Sequence, residues 1–136
     1  MKYFLILISL IFFSCESEPD YNYYLERMNI KLVDNFKVIE YQSDSAFGDY
    51  SVNFNLEISE KDFQKIVSII KQSENYIEYK NGEYPNRVNK LINGYRISGF
   101  KLSNKYFLKK ESKTKPIFYE LVLSNNKNLS FTYTED

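Results

Sequence analysis

Three acidic residues, Glu57, Glu60 and Asp62, lie close together in the sequence at a predicted strand-to-helix junction. Two carboxylates that flank a sugar linkage form the usual catalytic pair of a glycoside hydrolase. The alternating pattern of the preceding strand, however, places Glu57 on its polar face. Glu60 and Asp62 fall in the first helical turn, where the helix dipole favours negative charge. A carboxylate-dependent hydrolase is therefore the third of three functional hypotheses.

Two further acidic residues, Asp44 and Asp49, flank the segment SAFG and could offer oxygen ligands to a hard cation. They lack the dense acidic spacing of a calcium-binding loop, so a turn is the preferred interpretation and no metal site is predicted. The chain has no histidine, and its single cysteine is Cys15. This composition excludes Ser-His-Asp and Cys-His catalysis, histidine-ligated metals and structural disulfides. The four glycines form no clustered pair and hence no phosphate-binding loop, and we predict no cofactor.

The segment 101–115 is rich in lysine and offers five candidate binding residues, Lys105, Lys109, Lys110, Lys113 and Lys115. Such a cluster can contact anionic headgroups or polysaccharide, with about 1 kcal/mol for each lysine near an anionic membrane surface. The alternative is a solvated strand edge and hairpin turn, where lysine discourages edge-to-edge aggregation. The whole chain is lysine-rich, which favours this alternative.

Tyrosines form two candidate groups, Tyr76, Tyr79 and Tyr84 in an irregular middle segment and Tyr21, Tyr23 and Tyr24 near the N-terminus. The first group could form a recognition surface, because tyrosine is enriched in binding patches. The second group could lie at a membrane–water interface, which amphipathic aromatic rings favour. Ordinary packing at the edge of the core is the alternative for both groups.

The N-terminus combines Lys2, an uncharged run at 3–13, Ser14 and Cys15. A membrane-spanning helix needs about 20 apolar residues, whereas the apolar core of a signal peptide has about 7–15. The run therefore fits a signal peptide. With a small residue directly before the cysteine, the segment resembles a bacterial lipoprotein signal, although Phe12 replaces the usual leucine.

This resemblance implies that residues 1–14 are removed by cleavage between Ser14 and Cys15, and that Cys15 then carries the lipid. Lipidation with more than one chain suffices for stable membrane attachment. Two alternatives stay open, namely a plain signal peptide with a chance cysteine and an uncleaved short anchor.

Acidic residues follow the cysteine at Glu16, Glu18 and Asp20. In this the segment resembles surface-exported lipoproteins of the Bacteroidota. The junction at 49–63 is also similar to that of small uncharacterised lipoproteins of this group, which have no established activity. The resemblance implies export and lipid anchoring to the cell envelope at the outer membrane, with surface exposure if the acidic residues act as an export signal.

The remaining chain is predicted to be a short tether at 15–20 and a single domain at 21–136. The predicted elements are a short helix at 19–28, strands at 36–43 and 50–58, a helix at 60–73, and strands at about 95–103, 105–111, 116–124 and 129–134. Strand and helix assignments follow from apolar residues that recur with period two or at helical spacing.

The clearest helix signal is an apolar stripe of Phe63, Ile66, Val67 and Ile70 preceded by Ser59 as a natural N-cap. We therefore predict an α+β fold. It consists of an antiparallel sheet of about four to six strands with one main amphipathic helix on one face. Its order is a short helix, two strands, the main helix and a β-meander.

The charge balance narrows the range of partners, because 18 basic residues face 18 acidic residues. Such a chain has no strong field to attract nucleic acid. The leading hypothesis is a non-enzymatic binding or accessory module, anchored to a membrane through Cys15, that engages another protein or a surface polymer. The second hypothesis is an inhibitor or immunity-type protein that blocks a toxin or an envelope hydrolase.

Overall fold

A computed structural model of the chain describes residues 19–46, 48–80, 83 and 91–136. Strands dominate this part of the chain, since 52% of it lies in eight strands of one mixed sheet, with two short helices. The predicted α+β class is therefore wrong, and the fold is sheet-dominated. The prediction treated one strongly amphipathic helix as a complete helical layer of the fold. The predicted signal peptide, Ser14 and Cys15 lie outside the described residues.

The helices are α1 (Tyr21–Glu26) and α2 (Glu60–Lys71), and the strands are β1 (Lys37–Ala46), β2 (Asp49–Glu57), β3 (Ile77–Tyr79), β4 (Leu91–Ile92), β5 (Tyr95–Leu102), β6 (Lys105–Ser112), β7 (Ile117–Ser124) and β8 (Asn128–Glu135). The strand order is β1-β2-β8-β7-β6-β5-β3, and β4 pairs with β5 beside it. All pairs are antiparallel except β3 with β5, which run parallel. The prediction of a purely antiparallel sheet is wrong in this one pair.

The strict alternation of β2 gives the sheet one apolar face, which we call the inner face. Val52, Phe54 and Leu56 are buried there, as the sequence predicts. The register places Phe54 opposite Phe131 of β8, and these rings stack at 4.8 Å between centroids. Cross-strand aromatic pairs of this kind stabilise a sheet. The opposite, outer face carries mostly polar and charged side chains.

Both described helices pack on the inner face. Ser59 caps α2 by accepting a hydrogen bond from the Asp62 amide at 3.1 Å, and the predicted stripe of Phe63, Ile66, Val67 and Ile70 is buried. Helix α1 begins at Tyr21, after the cap residue Asp20, and buries Tyr21 and Leu25. The chain after α1 continues the core with Met28, Ile30 and Leu32.

Close contact between α2 and the sheet depends on Gly99 of β5. A Cβ atom at this position would lie 2.1 Å from the Ser73 hydroxyl and 2.8 Å from the Ile70 carbonyl. The missing side chain therefore lets the end of the helix approach the sheet backbone. This approach holds the end of α2 against the sheet at β5.

Candidate binding site: a tyrosine-lined cleft

A cleft of about 590 Å³ lies at the open end of the inner face, where α1 meets the turns before β5 and after β6. Six tyrosines line it, and we call it the tyrosine cleft: Tyr23, Tyr24, Tyr50, Tyr95, Tyr119 and Tyr133. Its volume lies in the range of about 300–1,000 Å³ that is usual for small-molecule sites. The tyrosine cleft is therefore the candidate functional site.

Strand register brings the tyrosines of the sheet together. Tyr119 of β7 lies directly opposite Tyr133 of β8, and their ring centroids are 5.0 Å apart. Tyr50 enters from β2, with its ring centroid 6.0 Å from that of Tyr133. Helix α1 adds Tyr24, whose hydroxyl lies 3.1 Å from the Tyr50 hydroxyl. Tyrosines from one helix and three strands thus form a continuous aromatic wall.

The hydroxyl groups of the cleft fall into two sets. Those of Tyr24 and Tyr50 bond to each other, and that of Tyr133 donates to Glu135. Tyr119 differs, because the residue as a whole is only 6% exposed and its hydroxyl has no hydrogen-bond partner among the described residues. This hydroxyl is not one of the fully buried polar atoms that lack a partner. It is therefore free to bond to water or to a ligand in the cleft.

Two cations flank the cleft and contact its aromatic rings. The Arg27 guanidinium lies 4.9 Å from the Tyr23 ring centroid and donates to its hydroxyl at 2.5 Å. The Lys110 ammonium lies 4.4 Å from the Tyr95 ring centroid and donates to the Arg27 carbonyl at 2.6 Å. Cation–π contacts of this kind hold a charge over an aromatic face. The cleft thus has cations already placed on two of its rings.

Burial sets the protonation of the cleft. It raises the pKa of Tyr119, and burial together with hydrogen bonds to Tyr50 and Glu135 raises the pKa of Tyr24 and of Tyr133. Burial, with the nearby Arg27 charge, lowers the pKa of Lys110. These three phenols therefore stay neutral, and a neutral phenol can both donate and accept a hydrogen bond.

The structure does not bring the five candidate lysines together. Lys105 and Lys109 lie on the outer face, where Lys109 pairs with Glu120 at 2.5 Å. Lys110 is on the inner face, Lys113 is exposed in the turn after β6, and Lys115 lines the cleft. Successive residues of a strand point to opposite faces, so a lysine-rich strand cannot present one basic surface. That these lysines bind a ligand stays a prediction.

The predicted tyrosine surface of the middle segment is also divided. The Tyr76 hydroxyl donates to Glu78 at 2.8 Å, and the Tyr76 ring packs against the core. The Tyr79 ring makes an edge contact with Phe100, which lies in the outer-face row of the sheet. Tyr84 lies outside the described residues. The two described tyrosines therefore do not share one exposed patch.

The predicted carboxylate groups have structural contacts. Asp62 is 1% exposed and accepts hydrogen bonds from the amides of Val33 and Asp34. Glu60 is exposed and accepts from Gln64, and Glu57 ends β2. The three carboxylates do not line a common cleft in the described part of the chain.

Asp44 and Asp49 belong to the β1–β2 hairpin, where Asp44 accepts a hydrogen bond from Gln42 at 2.9 Å. Across residues 19–46, 48–80, 83 and 91–136, no three His, Cys, Asp or Glu side chains cluster as metal ligands would. Asp44 and Asp49 are thus described only as parts of this hairpin.

The sequence predicts a membrane interface for Tyr23 and Tyr24 and does not single out Tyr50, Tyr95, Tyr119 or Tyr133. The signal that could have found them is alternation, because Tyr119 shares the apolar phase of β7 and Tyr133 shares that of β8. Alternation does not predict the strand order, and it is the strand order that makes these residues neighbours.

No protein-family model, curated protein or solved structure matches this chain. Among the described residues, no helix is long and apolar enough to cross a membrane.

Proposed function

We propose that this protein is a lipid-anchored binding module of a bacterial cell envelope that takes a ligand into the tyrosine cleft without altering it chemically. The observation that carries the proposal is the aromatic cleft itself, in which the Tyr119 hydroxyl has no partner among the described residues. A hydrogen bond from a ligand to this hydroxyl would contribute about 0.5–1.5 kcal/mol.

The position of the cleft suits an anchored protein. Tyr21, where α1 begins, is six positions after Cys15, and Tyr23 of the same helix lines the cleft. An extended chain spans at most about 3.6 Å per residue, so a lipid on Cys15 keeps the first turn of α1 within about 22 Å. The cleft would then work close to the membrane surface and would meet ligands of the envelope.

The cleft favours binding over hydrolysis. Glycoside hydrolysis uses two carboxylates about 5–10 Å apart, one on each side of the scissile bond. Among the described lining residues, Glu135 is the single carboxylate, and it accepts a hydrogen bond from Tyr133. A hydrolase is thus the weaker hypothesis for this site.

The inhibitor hypothesis has one observation in its favour, the free edge of the sheet. Strand β1 has ten exposed residues and, among the strands that the structure describes, pairs only with β2. Its exposed apolar side chains include Val38, Ile39 and Tyr41. An open edge of this kind can receive an extended segment of another protein. The inhibitor is therefore the second candidate function, and it uses a different surface.

The anchor is tested by labelling the full-length protein with palmitate in cells and separating membranes from soluble protein. The wild type and the control Ser17→Ala should take up label and sediment with membranes, whereas Cys15→Ser should do neither. The anchor proposal is wrong if the wild type takes up no label and Cys15→Ser still sediments with membranes.

The binding site is tested by placing a photoreactive benzoylphenylalanine at one of three positions, those of Tyr23, Tyr41 and Lys105. Tyr23 lines the cleft, Tyr41 lies on β1, and Lys105 is exposed on the outer face. Irradiation of intact cells should give an adduct from the Tyr23 position and none from Lys105. An adduct from Tyr41 alone favours the inhibitor, and adducts from none of the three contradict the binding proposal.

A further inference from the structure

We infer that the ligand of the tyrosine cleft is a neutral carbohydrate chain, an inference that rests on the proposed binding function. The chemistry of the lining carries it. The cleft offers phenol rings and neutral hydroxyls in alternation, and a sugar presents apolar C–H faces and hydroxyl edges in the same way. The aromatic rings and the hydroxyl groups of the cleft each have a counterpart on such a ligand.

The free hydroxyls define where hydrogen bonds can form. Neither Tyr119 nor Tyr95 has a hydroxyl partner among the described residues, while the hydroxyls of Tyr24 and Tyr50 satisfy each other. A phenol donates one hydrogen bond and accepts others, so it pairs equally well with either role of a sugar hydroxyl. Ser112 and Thr114 add further hydroxyls to the rim. The site is thus rich in groups that serve a polyhydroxylated ligand.

A cationic ligand is disfavoured because cations of the protein already lie beside the cleft. Arg27 lies over Tyr23, and Lys110 lies over Tyr95 and also 5.6 Å from the Tyr119 ring centroid. A bound ammonium group would be repelled by these charges, whereas a neutral sugar would not.

The charges that line the cleft are mixed, with two cations (Arg27 and Lys115) and one carboxylate (Glu135), so a strongly anionic ligand would meet repulsion as well as attraction. Glu135 lines the wall beside Tyr133, and Arg27, the nearest guanidinium, is already bonded to the Tyr23 hydroxyl. Anion sites often use an arginine that donates two parallel hydrogen bonds to the ligand. Arg27 could do so only by giving up its bond to the Tyr23 hydroxyl. The lining therefore combines opposite charges at its edges with a neutral, hydroxyl-rich centre.

The test uses the full-length lipidated protein in phosphatidylethanolamine vesicles and linear oligosaccharides of glucose, xylose and N-acetylglucosamine as probes. Binding is measured by equilibrium dialysis for the wild type, Tyr119→Phe, Tyr95→Phe and the control Tyr41→Phe. Each cleft variant loses one hydroxyl and should bind about 2- to 10-fold more weakly, as expected for one neutral hydrogen bond. Tyr41→Phe makes the same change outside the cleft and should bind like the wild type.

A second arm identifies the material that crosslinks to the Tyr23 position in cells. After complete proteolysis, a periodate-cleavable glycan that remains attached to the peptide from the Tyr23 position supports the carbohydrate inference, even if no probe in the panel binds. A peptide of another protein attached at that position, together with no probe binding, overturns the inference and leaves the binding function standing. Probe binding that Tyr119→Phe and Tyr95→Phe leave unchanged overturns it too, since the sugar then lies elsewhere. No adduct from any position removes the proposed binding function itself.

Discussion

The Lys110 ammonium donates a hydrogen bond to the main-chain carbonyl of Arg27 at 2.6 Å, across 83 residues of sequence. This bond ties β6 to the end of α1, and it holds the lysine over the Tyr95 ring. A helix carbonyl near the C-terminus lacks an intrahelical partner, so a cation satisfies it well. One wall of the tyrosine cleft is therefore fastened to the sheet by a single lysine.

Lys110→Met should lower the free energy of unfolding by about 1 kcal/mol, because one hydrogen bond to a charged group is lost while the aliphatic packing is kept. Lys105→Met is the matched control, since Lys105 is exposed on the outer face of the same strand. Urea denaturation measures both, and the control should lie within about 0.5 kcal/mol of the wild type. Equal losses for the two variants would contradict the proposed fastening role.

Asp62→Asn should destabilise the chain more strongly. The buried carboxylate accepts hydrogen bonds from Val33 N at 3.1 Å and from Asp34 N at 3.1 Å, and so holds the loop before β1 against α2. An asparagine would turn an NH₂ group toward one of these donors and leave it unpaired. We expect a loss of about 1–3 kcal/mol in the free energy of unfolding by urea denaturation.

Hydrogen exchange gives a second measurement for Asp62→Asn, since the amides of Val33 and Asp34 should exchange faster in this variant. Glu60→Gln, an exposed neighbour that bonds to Gln64, serves as the control. If Asp62→Asn matches that control in stability and in exchange, the buried carboxylate does not hold the loop.

Gly99→Ala should cost about 1–3 kcal/mol, because an added methyl group would overlap the Ser73 hydroxyl and the Ile70 carbonyl. The double variant Gly99→Ala/Ser73→Ala removes one of the two obstacles and should recover part of the loss. Thermal or urea unfolding of the two single variants and the double variant gives the coupling energy. Additive effects would mean that the two residues do not meet.

The sequence predicts best the elements that are long enough to show a clear period of apolar residues. Strand β2 and helix α2 carry unbroken alternation and an unbroken apolar stripe, and both lie where the pattern places them. Strands β3 and β4 have three and two residues, which is too short for any period. These two strands pair with β5 and take the sheet to eight strands, beyond the predicted range.

The candidate site was harder to predict than the fold, because it depends on which strands are neighbours. Tyr119 and Tyr133 meet only because β7 pairs with β8 in this register. By contrast, the sequence alone predicts that neighbouring lysines lie on different faces of the sheet. Lys109 and Lys110 are consecutive residues of a predicted strand, so alternation alone sends them to opposite faces.

Alkaline pH should weaken the fold through the cleft tyrosines. Burial, followed by hydrogen bonds to Tyr50 and Glu135, raises the pKa of Tyr24 and of Tyr133 above the ordinary value of 10.0. Above about pH 10 the unfolded chain releases these protons while the folded chain keeps them, so the free energy of unfolding falls as pH rises. Below about pH 10 both states are protonated, and these two groups add no pH dependence.

Urea denaturation from about pH 8 to about pH 11 measures this slope, and the ultraviolet absorbance of phenolate reports ionisation directly. The double variant Tyr24→Phe/Tyr133→Phe lacks both groups and should lose stability less steeply above about pH 10. A slope equal to that of the wild type would show that the cleft tyrosines ionise as they do in the unfolded chain. A shallower slope instead ties the alkaline limit of the fold to the same neutral hydroxyls that line the proposed binding site.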